Sequence, residues 1–270
     1  LEVLTLSAAF AIDQLTAFYF IRGESVPEPV VSVSLARLTD PEEAARFVSA
    51  YVPLLKAEAP EVAATYFCNW FSGVCVAIHD VMWRHDAVFS FELEDIQVQA
   101  YRREARSGLS FWISRYQLLG RDGQDRASWR EQALRTFYGD KVRLLIESFA
   151  AAAGIDVGHL WGQLPNRLSY AKDRWHNEAT AEQKQLIEED FCYMKDGIDG
   201  ELFGRKRNPY DIKFRFVESL QVPGEQVRIK PACCMAYRTE TDHGYCYTCP
   251  RIDRAERDRV KEQYLIKQHA

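Results

Sequence analysis

Four of the seven cysteines fall at positions 233, 234, 246 and 249, a CC-x11-C-x2-C pattern near the end of a 270-residue chain. Four thiolates on so short a tether make a soft-ligand set, suited to Zn(II) or to an iron–sulfur cluster. Structural zinc sites usually draw on two C-x2-C knuckles, each turning the chain so that both sulfurs reach one tetrahedral ion. Here Cys246 and Cys249 have that form, but Cys233 and Cys234 are adjacent, and neighbours on an extended chain point to opposite faces. A two-iron centre is a larger target that accepts thiolates from more divergent directions. The spacing therefore favours a [2Fe-2S] cluster on Cys233, Cys234, Cys246 and Cys249, with a structural zinc site as the alternative.

The string Cys233-Cys234-Met235-Ala236-Tyr237-Arg238, followed by Cys246-Tyr247-Thr248-Cys249-Pro250, resembles the C-terminal signature of the FhuF-like ferric-siderophore reductase family. Members of that family carry a CC-x10-C-x2-C motif, bind one [2Fe-2S] cluster through it, and reduce siderophore-held iron(III) in the cytoplasm. This chain has eleven residues between the cysteine pairs, one more than the family pattern, in a loop that holds Asp242, His243 and Gly244. Upstream, His159-Leu160-Trp161-Gly162 resembles a Leu-Trp-Gly element of the family's helical body. The resemblance implies a cytoplasmic oxidoreductase that passes one electron to a ferric siderophore and releases Fe(II).

No flavin- or nicotinamide-binding pattern accompanies the cysteines, so a one-electron centre here needs an external donor: a ferredoxin, a flavodoxin or a reductase. Arg238, four residues after Cys234, and His243, three before Cys246, are candidates for tuning the cluster. A pocket for a bulky chelate needs aromatics and donors. Trp161, Arg167, Tyr170, Arg174 and Trp175 are candidates, with Arg167 and Arg174 seven apart on one helical face. Two other readings remain open at this point: an iron–sulfur carrier or siderophore-binding protein without turnover, and a zinc-stabilised binding domain.

The elements that must position these groups follow from patterning. At 47% apolar the chain can bury a substantial core, and 39 acidic against 34 basic residues offer no general attraction for nucleic acid. Clustered, unpaired cysteines point to a reducing compartment. Leu1–Arg22 is expected to be a helix packed on the body rather than a signal sequence, since Glu2 and Asp13 interrupt its apolar run and no basic stretch precedes it. Asp40-Pro41-Glu42-Glu43 starts a helix to about Ala57, with a kink or break at Pro53. From Pro60 the apolar residues recur at three and four almost all round, which predicts a central buried helix and no membrane span.

Its Cys68 and Cys75 read as small core residues, as does the later Cys192. His79 and His85, six apart, read as polar residues near the helix end. Ala87–Ala100 alternates with period two and changes phase at Glu94-Asp95, a bulge or a break between two strands. Ser107–Leu119 is strand or helix, and helices follow over Ser128–Ala153, Val157–Trp175 and Ala179–Met194. A hairpin around Pro223-Gly224 feeds into the cysteines, and Ile252–Lys267 reads as a solvated helix carrying Asp253–Arg257 and Arg254–Asp258 pairs. The expected class is α+β: a predominantly helical body over 1–225 with a few short strands, and a small cluster-binding segment with a terminal helix over 226–270.

Overall fold

The longest apolar run forms the axis of the molecule. A computed structural model describes residues 12–103, 106–241 and 244–269 as an α+β fold with a helical body. Helix α1 (Asp13–Tyr19) leads into strands β1 (Ile21–Arg22) and β2 (Val31–Ser34), then α2 (Pro41–Leu55), α3 (Pro60–His85), β3 (Ala87–Ser90), β4 (Ile96–Arg103), β5 (Arg106–Ile113) and β6 (Gln117–Gly120). Helices α4 (Arg126–Phe137), α5 (Arg143–Ala153), α6 (Val157–Trp161), α7 (Leu164–Glu178) and α8 (Ala181–Cys192) follow. Strands β7 (Phe216–Glu218) and β8 (Gln226–Arg228) and the terminal helix α9 (Arg254–His269) complete the chain.

Helix α3 is buried on nearly every side because almost every side chain is apolar or small. It packs against α1, α2, α5 and α7. Its Phe67 stacks on Phe149 at 3.8 Å and meets Phe47 and Phe111 edge-on, so one ring joins α2, α3, α5 and β5. By length and hydropathy α3 could cross a membrane, but 83% of its most apolar window is buried inside the body. Gly73 lets the Tyr19 backbone approach closely, since a Cβ there would stand 2.7 Å from the Tyr19 carbonyl oxygen.

Strands order as β1-β5-β4-β2, with β1 parallel to β5 and the other pairs antiparallel. The register Val98↔Phe111 puts both side chains in the core. The expected break at Glu94-Asp95 is a 3₁₀ turn, Leu93–Asp95, closed by reciprocal Glu92 and Asp95 caps. It sends β3 to a separate ribbon with β6 and β4 to the larger sheet. Ser107–Leu119 resolves as strands, again divided between the two sheets.

Several expectations need correction. Residues 1–11 lie outside the described residues, and Ile21–Arg22 is a strand, because Phe20 adopts a left-handed conformation (φ 64°) that stops α1. Helix α2 runs through Pro53 and ends at Leu55, with Asp40 capping its start through the Glu42 and Glu43 amides. The helix over Ser128–Ala153 is interrupted by a π turn at Tyr138–Val142. Buried Tyr138 lies within hydrogen-bond reach of both His79 (3.0 Å) and Tyr210 (3.2 Å). His79 is thus a core residue, while Cys192 is exposed at the end of α8. Cys68 and Cys75 are buried as expected, and burial pushes both thiols far up.

Candidate metal centre

The β7–β8 hairpin forms with Val217 opposite Val227, Gly224 taking the positive φ of 81° in its turn. It runs across position 225, so body and C-terminal segment share a ladder there. Beyond β8, Lys230 donates its amide to Thr248 O at 3.0 Å, which brings the two cysteine-bearing stretches side by side. Adjacent Cys233 and Cys234 are followed by Met235 in a left-handed conformation (φ 58°). That bend returns the Met235 N–H to Cys233 Sγ at 3.4 Å.

The four thiols sort into two pairs. Cys233 Sγ lies 3.6 Å from Cys249 Sγ, and Cys234 Sγ lies 3.9 Å from Cys246 Sγ. Two thiolates on one tetrahedral ion with bonds of about 2.3 Å would stand about 3.8 Å apart, so each pair has the spacing of two sulfurs on one metal. Neighbours in sequence belong to different pairs, as opposite-facing side chains require. Among the described residues, no three potential metal ligands converge on one point. Each pair would serve one ion of a two-metal centre, two thiolates to each.

Cys233 and Cys249 are buried with Ile252, while Cys234 and Cys246 are partly exposed. Burial pushes the Cys233 thiol up to about 12, opposed by the Met235 amide. Cys246 is raised by its hydrogen bond to Cys234 and by burial, with Lys230 pulling the other way. Protons held this firmly leave when a metal replaces them. Lys230 Nζ stands 3.4 Å from Cys246 Sγ and 3.8 Å from Cys234 Sγ. Burial opposes its charge, but the two sulfurs outweigh burial and raise its pKa. Tyr66 of α3 also faces the site: burial first, then Cys234, Cys246 and Cys233, push its hydroxyl up to about 12.

The body grips this segment at several points. Gln163 Nε2 donates to Cys233 O at 3.2 Å, and His159 is drawn to the same carbonyl, although burial outweighs that pull and lowers its pKa. Gly162 leaves room for Ala232, since a Cβ there would sit 2.7 Å from the Ala232 Cβ. The His159–Gly162 element picked out in the sequence thus packs directly under the cysteines. On the other side, Glu58 N donates to Arg238 O and Glu240 N to Lys56 O. Helix α9 contributes Arg257, which donates to the carbonyls of Tyr247, Cys249 and Ile252 and fixes the C-x2-C knuckle. The expected pairing of Asp253 with Arg257 gives way to this clamp, and Asp253 instead accepts the Glu256 amide.

The remaining candidates are dispersed. The Arg238 guanidinium is held by Glu61 at 2.8 Å and Glu58 at 3.3 Å, and His243 lies outside the described residues. Trp161 is core, edge-on to Phe203, and Trp175 is core with its indole N–H on the Tyr19 hydroxyl. Arg174 binds the Tyr19 hydroxyl at 2.9 Å and covers the Phe18 ring. Arg167 and Tyr170, by contrast, line a cleft of about 210 Å³ with Asn69, Asn166 and Lys230. Asn166 Oδ1 is buried without a hydrogen-bond partner among the described residues, and burial lowers the Arg167 pKa. Lys230 belongs to both cleft and cysteine site. Sequence reasoning missed Lys230, Tyr66 and Arg257, although Lys230, four residues before Cys234, was the nearest cation upstream of the motif.

Compared with known proteins, the chain matches no family model and no curated protein.

Proposed function

We propose that the chain is a ferric-siderophore reductase of the FhuF-like kind its cysteine motif resembles, acting in the cytoplasm. Its [2Fe-2S] cluster would have Cys233 and Cys249 on one iron and Cys234 and Cys246 on the other. The sorting of four thiols into two pairs carries this reading. A cluster of that type supplies one-electron transfer, at a potential set by burial, charge and hydrogen bonds to sulfur. Lys230 and the Met235 amide supply one donor to each pair and favour the more negative, reduced state. Arg257, Gln163 and the Lys56–Glu58 backbone hold the ligand loops in place.

The substrate is an iron(III) siderophore. Hard-oxygen chelates hold Fe(III) tightly and Fe(II) weakly, so reduction releases the metal. The cleft beside Lys230 offers Arg167, Tyr170 and Asn69 to such a chelate. At about 210 Å³ it is below the ~300–1,000 Å³ of sites that enclose a ligand, so the chelate rests on it in part. An external ferredoxin, flavodoxin or reductase would deliver electrons, and the partial exposure of Cys234 and Cys246 supports its approach on that side. The small cleft also favours a second reading, an iron–sulfur carrier without turnover.

Anaerobically prepared protein is expected to be red-brown, with about two irons and about two acid-labile sulfides per chain. After dithionite reduction, adding a ferric siderophore should release ferrous iron stoichiometrically to a chromogenic chelator. Zinc without sulfide overturns the cluster assignment, and an intact cluster without ferrous release leaves the carrier. Cys234→Ser or Cys249→Ser should abolish colour and release together, whereas Cys68→Ser should keep both.

A further inference from the structure

A cavity of about 670 Å³ lies away from the cysteines. It is walled by the β3–β6 ribbon, α4 and the π turn, and reaches α3 at Ile78. The cysteine segment meets the same helix at Thr65, whose hydroxyl contacts Met235. At 1.5 Å per residue those two points of α3 are roughly 20 Å apart. The cavity is thus separate from the metal centre and independent of how that centre is read.

Apolar and aromatic side chains, among them Phe89, Phe91, Trp129, Phe137 and Leu144, the last left 44% exposed, line one part of it, and Ser90, Gln124, Gln132 and Thr136 line the rest with charged residues. Phe137, Asp140, Lys141 and Leu144 all line the space, so the π turn forms part of the wall. π turns inside α-helices are frequent at functional sites. Lys141 is already committed: it donates to Phe91 O and Glu92, and lies over the Phe91 ring. Glu94, Asp122 and Asp140 also line the cavity, exposed, and form no ion pair among the described residues.

We propose that this cavity binds an organic cation: a small molecule with an apolar body and one amine or quaternary ammonium group. The volume lies in the range of small-molecule sites. Apolar walls remove the body from water, and three carboxylates without an ion pair among the described residues attract the cationic end. An anion of the same shape meets those carboxylates unfavourably, which gives the site its selectivity.

The test is calorimetric titration of the full chain with decyltrimethylammonium and with decyl sulfate, both below micelle formation. The ammonium should bind saturably, one per chain, at least about tenfold more tightly than the sulfate. Asp140→Asn with Glu94→Gln, both on the exposed rim, should weaken the ammonium about tenfold and leave the melting temperature unchanged. Ala133→Trp, which fills the cavity, should abolish binding of both probes. Cys249→Ser should bind the ammonium as the parent does. Equal binding of the two probes, non-saturating heats, or ammonium binding that survives the rim and filling variants overturns the proposal.

Discussion

In the body, Phe67 sits among the rings of Phe47, Phe71, Phe111 and Phe149 within one continuous buried core. In the cysteine segment, the separate buried cluster is Cys233, Cys249 and Ile252, flanked by Tyr237, Cys246 and Val260. Apolar burial stabilises by roughly 25 cal/mol per Å², so the body has ample driving force of its own and the segment has little. What the segment has instead is backbone hydrogen bonding to the body, the Arg257 clamp and four sulfurs in two pairs. Small units of this kind draw folding free energy from a bound metal. The contrast teaches where to look for coupling: metal loading should order the segment and leave the body nearly unmoved.

The sharpest way to break that contrast is Phe67→Ala. It should cost about 3–5 kcal/mol of body stability by denaturant unfolding, while the protein still folded in buffer keeps the parent's iron content, if the proposed cluster is present. A comparable loss of iron would show that body and segment are one cooperative unit.

The next effect is a pH dependence confined to the body. Burial lowers the His79 pKa from 6.5 to about 4, so His79 is neutral in the native state. The unfolded state binds a proton below about pH 6.5 that the native state refuses until about pH 4. Stability from this group is therefore full above pH 6.5 and falls as pH drops, by about 3 kcal/mol in all. His79→Gln should flatten this part of the pH–stability curve, as read by unfolding at several pH values.

Gly162→Val acts at the join. Its side chain would collide with Ala232, costing about 1–3 kcal/mol of overpacking. The predicted readout is faster iron loss to a chelator with a nearly unchanged melting temperature. The smallest expected effect is Arg238→Ala, which removes the partly buried pair with Glu61 at about 1 kcal/mol. Hydrogen exchange should rise at residues 236–240 and nowhere in α3.

Much of the body was legible because local periodicity reports burial directly. The all-round apolar pattern from Pro60 gave the central helix, and the phase change at Glu94-Asp95 marked an interruption between strands, while their division between two sheets came only from the tertiary structure. The π turn at Tyr138–Val142 was not legible, because one extra residue barely disturbs a helical pattern and the partners of Tyr138, His79 and Tyr210, are distant in sequence. Cys192 was misplaced for a related reason: residue type favours burial, but the end of α8 faces outward. Among the proposed substrate residues, Arg167 and Arg174 share a helix, yet Arg174 turns to Tyr19 while Arg167 lines the cleft.

The chain's residues alone determined that four thiolates lie close together near the C-terminus, after a hairpin and before a charged helix, because covalent spacing and turn chemistry are local. Which sulfur pairs with which, that Lys230 faces Cys234 and Cys246, that Arg257 fixes the knuckle, and that Gly162 lies beneath Ala232 were decided only by tertiary structure. Those relations depend on the path of the chain between distant positions, and side-chain periodicity carries no record of that path.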